Sequence, residues 1–138
     1  MIPVIPHSVT VVVNENNEYL LEERADDGFF DFPGGRIEEG ETPKEAAERE
    51  LLEETGLIAD ESILFEVLTG EVTYYKYWNG NEIYGVDNIF VVRKYHGELK
   101  PQQEEVKRLV YVKLDDMPLD KMSKRNHQII RDLKTKEH

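Results

Sequence analysis

The chain has 138 residues, a net charge of −12 and 39% hydrophobic residues, which together fit one acidic domain, residues 1–138, with a core of its own. Such an acidic surface repels a nucleic-acid backbone, and the absence of cysteine excludes disulfides and thiolate metal sites. The N-terminal segment has no basic leader and no apolar run approaches the ~20 residues of a membrane span, so we expect a cytoplasmic protein that does not act at a membrane.

The first part of the chain predicts two strands followed by a glycine loop. Residues 8–13 are rich in β-branched side chains, residues 14–17 form a polar turn, and residues 18–24 return as a second strand. Three phenylalanines, more typical of a core or its rim than of base stacking, then lead into Pro33-Gly34-Gly35.

A helix is predicted from residue 43 to residue 55. Thr42 suits the N-cap, Pro43 suits the first turn, and Glu45 completes a Thr-x-x-Glu capping box. Gly56 follows where a left-handed C-cap residue is wanted.

The rest of the chain predicts three strands and a closing helix. Strands are expected at residues 63–78, 82–95 and 106–114, with Asn79-Gly80 as the hairpin turn between the first two, and a helix at residues 119–133. The order of strands, helix, strands and helix predicts an α/β sandwich in which a mixed sheet lies between two main helices.

The predicted helix carries acidic side chains where a helix tolerates them poorly. Glu50 lies three positions before Glu53 and four before Glu54, so the three share one helical face. Like charges at these spacings destabilise a helix by roughly 0.2–0.5 kcal/mol per pair, and they lie near the end of the macrodipole that disfavours anions. A divalent cation resolves this conflict, and Mg2+ prefers such hard oxygen ligands, with Mn2+ as the alternative.

Residues around this face extend the candidate metal site. Gly35 lets the backbone approach closely and offer a carbonyl, and Glu41 at the helix start is a further candidate ligand, although a carboxylate there also simply favours the dipole. Arg49 is expected to orient a carboxylate from outside the metal shell.

This segment resembles the Nudix box, the signature of the Nudix hydrolase family of MutT-type pyrophosphohydrolases. The box is a glycine, five residues, a glutamate, seven residues and then Arg-Glu-aliphatic-x-Glu-Glu-x-Gly-aliphatic. All nine fixed positions are matched, by Gly35, Glu41, Arg49, Glu50, Leu51, Glu53, Glu54, Gly56 and Leu57.

The resemblance implies a Nudix-type α/β/α sandwich, with the box as loop-helix-loop, and the hydrolysis of a nucleoside diphosphate derivative. In similar proteins, the positions of Glu50, Glu53 and Glu54 hold the metal, helped by the carbonyl at Gly35. The position of Glu53 often polarises the attacking water, and that of Arg49 supports the cluster. Water attacks phosphorus while metals neutralise charge on the phosphate oxygens.

The resemblance also suggests residues outside the box. In several relatives the general base lies on a loop before the last strand, which here indicates Glu105 or Glu104. Arg24 and Arg36 are candidates for holding a phosphate, although surface roles fit them equally. Tyr75 lies where some dinucleoside polyphosphate hydrolases have a tyrosine. Asn126 resembles a purine-reading asparagine, with a helix cap as the preferred alternative.

Several interpretations stay open. Nucleoside triphosphates, including oxidised ones, are the leading small-molecule substrates, followed by dinucleoside polyphosphates, nucleotide sugars and ADP-ribose. The rival from another class is a non-catalytic nucleotide-binding regulator. A calcium-binding module would require a twelve-residue ligand loop that the sequence lacks. A homodimer is a further hypothesis, with the aromatic hairpin at residues 74–78 as its surface.

Overall fold

Two β-sheets and two α-helices make up the part of the chain that the structure, a computed structural model, describes: residues 1–101 and 104–136. In chain order the elements are β1 (Val4–Val12), β2 (Tyr19–Arg24), β3 (Phe30–Asp31), β4 (Gly34–Arg36), α1 (Pro43–Thr55), β5 (Leu57–Thr69), β6 (Tyr75–Lys76), β7 (Glu82–Gly97), β8 (Val106–Val112) and α2 (Lys124–Lys136).

The larger sheet is mixed, as predicted. Its order is β4-β1-β7-β5, with β6 paired to β7. β1 runs parallel to β7, from Val4 opposite Tyr84 to Val12 opposite Val92, and the other pairs are antiparallel.

A second sheet, which the sequence did not predict, has the order β3-β2-β8 and is antiparallel. The turn after β1 explains it, because Val13 and Tyr19 form only one isolated bridge instead of a continuing hairpin. The Asn14 side chain accepts the backbone N–H groups of Asn16 and Glu18 in this turn. The chain thereby leaves one sheet and enters the other.

The core has two parts. The larger lies beside α2 and includes Val9, Val11, Leu21, Phe32 and Ile129. The smaller lies beside α1 and consists of Val12, Leu20, Leu51, Leu57 and Val92, all buried. β1 and β2 contribute to both parts, so successive residues of these strands pack towards different helices.

α1 has the bounds that the sequence predicted. The Thr42 side chain accepts the N–H of Glu45 at 3.1 Å, and the Glu45 carboxylate accepts the N–H of Thr42 at 2.9 Å. Gly56 ends the helix with a φ of 81° and donates its N–H to Leu52. Local capping chemistry therefore sets both ends.

Other predicted boundaries are wrong: β1 begins at Val4 instead of residue 8, and three further elements differ. β5 begins at Leu57 and ends at Thr69, because Gly70 has a φ of +77° and opens a 3-10 turn, so residues 75–76 form a separate short strand. The closing helix begins at Lys124; residues 119–121 form a 3-10 turn, and the extended backbone of Met122 separates it from α2. β8 stops at Val112.

Among the described residues, neither helix has the length and apolar character needed to cross a membrane.

Candidate active site

The glycine loop and α1 meet beside β1. β4 pairs with β1 so that Gly35 lies opposite Ser8, and the Ser8 hydroxyl donates a 2.6 Å hydrogen bond to the carbonyl of Pro43 at the helix start. A Cβ on Gly35 would lie 2.7 Å from the Glu50 carboxylate. Only glycine allows the loop backbone and this carboxylate to approach so closely.

Two buried carboxyl groups lie behind the loop. Glu54 is 5% exposed and Glu22, on β2, is 7% exposed. The backbone N–H of Gly34 donates to Glu54 at 3.3 Å. Burial, and then hydrogen bonds with Glu22 and Glu50, raises the pKa of Glu54 far above its usual range. We conclude that Glu54 keeps a proton at neutral pH when no cation is bound.

Glu22 is the second member of this pair. Burial raises its pKa to about 7 against the lowering effect of its hydrogen bond with Glu54, and the charges of Asp31 and Glu50 add to the rise. Within the described residues, Oε2 of Glu22 is buried and has no hydrogen-bond partner. An ionised Glu22 therefore has an unsatisfied oxygen that a cation or a proton would stabilise.

Arg49 is the cationic centre of the site. Its guanidinium donates to both oxygens of Glu41 at 2.6 and 3.0 Å, to Glu50 at 2.8 Å and to Glu53 at 3.3 Å. It also donates to the carbonyl of Arg36 at 3.2 Å. These hydrogen bonds, led by those to Glu41, raise the pKa of Arg49, and the bond to Arg49 lowers the pKa of Glu41. Arg49 thus joins three carboxyl groups, those of Glu41, Glu50 and Glu53, around the loop.

The box glutamates divide into an inner and an outer group. Glu54 faces inward and is buried, and Glu50 lies under Gly35 with little exposure. Glu53 keeps about half of its side chain in solvent and accepts a hydrogen bond from Arg49. Glu41 bonds to Arg49 and accepts the N–H of Glu38. The inner group can bind a cation with little water present, and Glu53 can reach water.

The donor set fits a hard divalent cation. Within residues 1–101 and 104–136, no three acidic or histidine side chains are already arranged around one point as metal ligands. However, Glu54 hydrogen-bonds to both Glu22 and Glu50, and a cation would satisfy the buried Oε2 of Glu22, which has no hydrogen-bond partner among the described residues. A cation that displaced the proton of this cluster would bind carboxylate oxygens, which hard metal ions prefer.

The remaining sequence candidates lie in several parts of the fold. Arg24 pairs with Asp26 at 3.0 Å, and Arg36 is exposed beside the glycine loop. Tyr75 lies in the β6–β7 hairpin, where its ring packs against another tyrosine. These substrate-binding assignments stay predictions.

Two further candidates have unexpected environments. Asn126 is 1% exposed, and its side-chain amide accepts a hydrogen bond from Arg125 and donates one to Asp31. Glu105 is exposed, and its carbonyl accepts the N–H of Ala25, which brings its loop to the end of β2. Residues 102–103 of that loop lie outside the described residues.

Glu22 is the site residue that the sequence analysis missed. It lies two positions after Leu20, which is fully buried, so the two share one face of β2. A charged residue on the buried face of a strand was the available signal, because buried carboxylates require a partner.

The chain is similar to known proteins. The family model described as NUDIX domain matches residues 5–133. The 8-oxo-dGTP diphosphatase of Escherichia coli (strain K12) is 46% identical over 68 residues, which cover 46% of this chain and 53%, about half, of that protein. The ADP-ribose pyrophosphatase of Methanocaldococcus jannaschii is 30% identical over 128 residues, which cover 91% of this chain and 70% of that protein.

Solved structures show the same fold. The MutT protein of Bacillus halodurans superposes with a TM-score of 0.76 at 23% identity, covering 92% of this chain and 80% of that chain. The NUDIX domain of NrtR from Shewanella oneidensis, solved with ADP ribose, superposes with a TM-score of 0.78 at 16% identity, covering 100% and 91%. At these identities the likeness concerns the fold alone.

Proposed function

This chain belongs to the Nudix family, and from that premise we propose that it hydrolyses the pyrophosphate bond of a nucleoside diphosphate derivative with a divalent cation, Mg2+ first and Mn2+ second. The observation that carries the proposal is the carboxyl cluster beneath the glycine loop, in which buried Glu54 hydrogen-bonds to buried Glu22 and to half-buried Glu50. Such a cluster is unfavourable for a folded chain unless a proton or a cation compensates its charge.

The inner carboxylates and the loop backbone hold the cation in this proposal. Glu50, Glu54 and Glu22 are proposed to supply carboxylate oxygens, and Gly35, whose backbone lies close to the Glu50 carboxylate, is proposed to supply its carbonyl. When bound, the cation supplies charge neutralisation for the phosphate oxygens. Glu41 acts through Arg49, because both of its oxygens accept hydrogen bonds from that guanidinium.

Glu53 is the proposed general base. Its carboxylate is partly in solvent, and the 3.3 Å hydrogen bond from Arg49 fixes its position beside the metal site. A carboxylate so placed can accept a proton from an attacking water. Glu105 is the second candidate, since its loop reaches the strand that carries Glu22.

The proposed substrates are nucleoside triphosphates, including oxidised ones. The support is the segment that is 46% identical to an enzyme named for 8-oxo-dGTP. The longer match to an ADP-ribose pyrophosphatase makes ADP-ribose the next compound to test. Arg24 and Arg36 are proposed to hold phosphate oxygens, with Tyr75 at the nucleoside end of the cleft.

Hydrolysis of a nucleotide panel with Mg2+, followed through the phosphorylated products (nucleoside monophosphate, pyrophosphate or phosphate, sugar phosphate), tests the proposal. The panel holds canonical and oxidised nucleoside triphosphates, ADP-ribose, dinucleoside polyphosphates and nucleotide sugars. Glu53→Gln should lower kcat at least about a hundredfold, the usual contribution of a general base. Glu48→Gln is the matched control, because Glu48 lies on the same helix but bonds to Ser62 at 3.1 Å, away from the cluster.

Two results would contradict the proposal. Equal turnover by wild type and Glu53→Gln would remove Glu53 from catalysis. Tight binding of one nucleotide without any turnover would instead identify a nucleotide-binding regulator.

A homodimer through the β6–β7 hairpin is a separate proposal. Trp78 at the hairpin tip is 97% exposed and Tyr75 is also exposed. Such an apolar tip is typical of an interface. Sedimentation showing a monomer at micromolar concentration would remove this proposal.

A further inference from the structure

A buried aspartate lies in β7, at a place that the proposed chemistry does not use. Asp87 is almost fully buried, and its carboxylate contacts Nδ1 of His7 at 3.1 Å and the Arg125 guanidinium at 3.5 Å. A buried carboxylate is retained only when partners compensate for its lost hydration. Asp87 therefore anchors Arg125, at the start of α2, to the centre of the mixed sheet.

Arg125 uses its other nitrogens to hold two neighbours. Its Nη2 donates to Oδ1 of Asp31 at 2.9 Å and to Oδ1 of Asn126 at 2.8 Å, and its Nε donates to the same Asn126 oxygen at 3.1 Å. The amide nitrogen of Asn126 donates to Oδ1 of Asp31 at 2.8 Å. A flipped amide would turn its N–H groups towards the guanidinium, so this network fixes one orientation of Asn126.

The network borders the carboxylate cluster on two sides. Asp31 pairs directly with Glu22 across β3 and β2, and its charge contributes to the raised pKa of Glu22. His7 pairs with Arg36 across β1 and β4, next to the glycine loop. Arg125 and Asp87 thus connect α2 to the strands that carry the site.

Asp31 is the member of the network that a ligand can reach. Asn126 is 1% exposed, so in this structure it supports its neighbours from inside. The Asp31 side chain is 32% exposed, and its Oδ1 accepts the hydrogen bonds from Arg125 and Asn126, so among the described residues Oδ2 is the oxygen that these two donors do not use and that can accept a further one. A carboxylate beside a diphosphate site repels phosphate and attracts N–H or O–H groups.

We propose that Arg125, anchored by Asp87, is a positioning residue that aims the Asp31 carboxylate at the nucleoside part of the substrate, and that Asp31 thereby selects nucleosides offering a hydrogen-bond donor at that point. The inference rests on the proposed hydrolase function. The donor is an amino group of the base or a hydroxyl of the ribose, and both present the same chemistry to a carboxylate oxygen.

Nucleotide pairs that differ by one donor test the inference. GTP and ITP differ by the 2-amino group, ATP and purine riboside triphosphate by the 6-amino group, and GTP and dGTP by the 2′-hydroxyl. Because a hydrogen bond to a charged group is strong, we expect that in one pair the nucleotide without the donor has a kcat/KM at least about tenfold lower with wild type, mainly through a higher KM. The nucleotide pair that shows this loss identifies whether the donor belongs to the base or to the ribose.

Variants then test the positioning role. Arg125→Lys keeps a positive charge beside Asp87 but cannot span Asp87, Asp31 and Asn126 together. We expect it to reduce the selectivity ratio to within about threefold, with a much smaller change in kcat for the preferred nucleotide. Asp31→Asn, at a partly exposed position, should reduce the ratio in the same way even if Arg125→Lys folds poorly.

The control is Arg131→Lys, because Arg131 is on the same helix and bonds only at the surface, to Gln128. Wild type that does not distinguish any pair, or a ratio that survives in both network variants, would overturn the inference and leave the hydrolase function standing. Wild type without turnover of any nucleotide would overturn the proposed function and this inference with it. Thermal unfolding of each variant separates loss of fold from loss of selectivity.

Discussion

Replacement of Glu22 by glutamine tests whether the buried carboxyl pair destabilises the metal-free protein. Glu22 and Glu54 share a hydrogen bond beneath the glycine loop, and burial is the main reason for the raised pKa of each. Glutamine keeps the size of the side chain, and its amide oxygen can still accept the hydrogen bond from protonated Glu54. It removes the group that would otherwise ionise, so any change in pH dependence belongs to that ionisation.

The magnitude follows from the pKa of Glu22, about 7 in the folded chain against 4.5 ordinarily. Between these values the folded state binds more protons than the unfolded state, so stability falls as the pH rises through the window. At ~1.36 kcal/mol per unit, the loss is about 3 kcal/mol. Metal-free Glu22→Gln should match wild type near pH 4.5 and exceed it by about 3 kcal/mol at pH 8.

Urea unfolding in EDTA at pH 4.5, 6 and 8 measures this difference. Adding Mg2+ at pH 8 should stabilise wild type, by about 2.7 kcal/mol at a hundred times its Kd, and should stabilise Glu22→Gln less because one ligand oxygen is gone. A wild-type stability that does not change with pH in EDTA would refute the reasoning. So would a variant that is weaker by the same amount at every pH, since that result would make Glu22 a simple packing residue.

Three further predictions concern other parts of the molecule. Gly35→Ala should weaken Mg2+ binding about tenfold or more in calorimetry, because its Cβ would lie 2.7 Å from the Glu50 carboxylate; unchanged affinity would contradict the proposed metal site. Glu66→Gln should raise the free energy of unfolding at pH 7.5 but not at pH 5. Burial and Asp132 raise the pKa of Glu66 to about 6, so its ionised carboxylate is the form that destabilises the folded state. Urea unfolding at both pH values measures this difference. Thr42→Ala should cost about 1 kcal/mol by the same method, since it removes the N-cap of α1, and a loss near zero would contradict the capping argument.

The parts of the fold that sequence predicts well are those set by neighbouring residues. The bounds of α1 were confirmed because Thr42, Glu45 and Gly56 cap it through bonds within a few positions. β5 was predicted too short at its start, since residues 60–62 are polar. Its pairing with β7 includes three register irregularities, and as an edge strand it tolerates charged side chains that face solvent.

The residues of the candidate site also divide into those that local spacing predicts and those that only the packing of distant segments brings together. The box residues share one loop and one helix, so their spacing already indicates a common face. Glu22 joins them only because β2 packs beneath α1, and Asp87 meets Arg125 only because β7 lies against the start of α2. Contacts of this kind depend on the three-dimensional packing of distant segments, and no local pattern in one sequence reports them.

The parallel pairing of β1 with β7 also determines when the site can form during folding. The two strands are joined by contacts between residues 80 positions apart, and the glycine loop is attached to β1 on its other edge. A ribosome must therefore synthesise most of the chain before β1 has a neighbour on both sides. Such non-local pairings close slowly. α1 can form early from its own caps, but β1, the strand that holds its glycine loop, is paired on both edges only after β7 has been added.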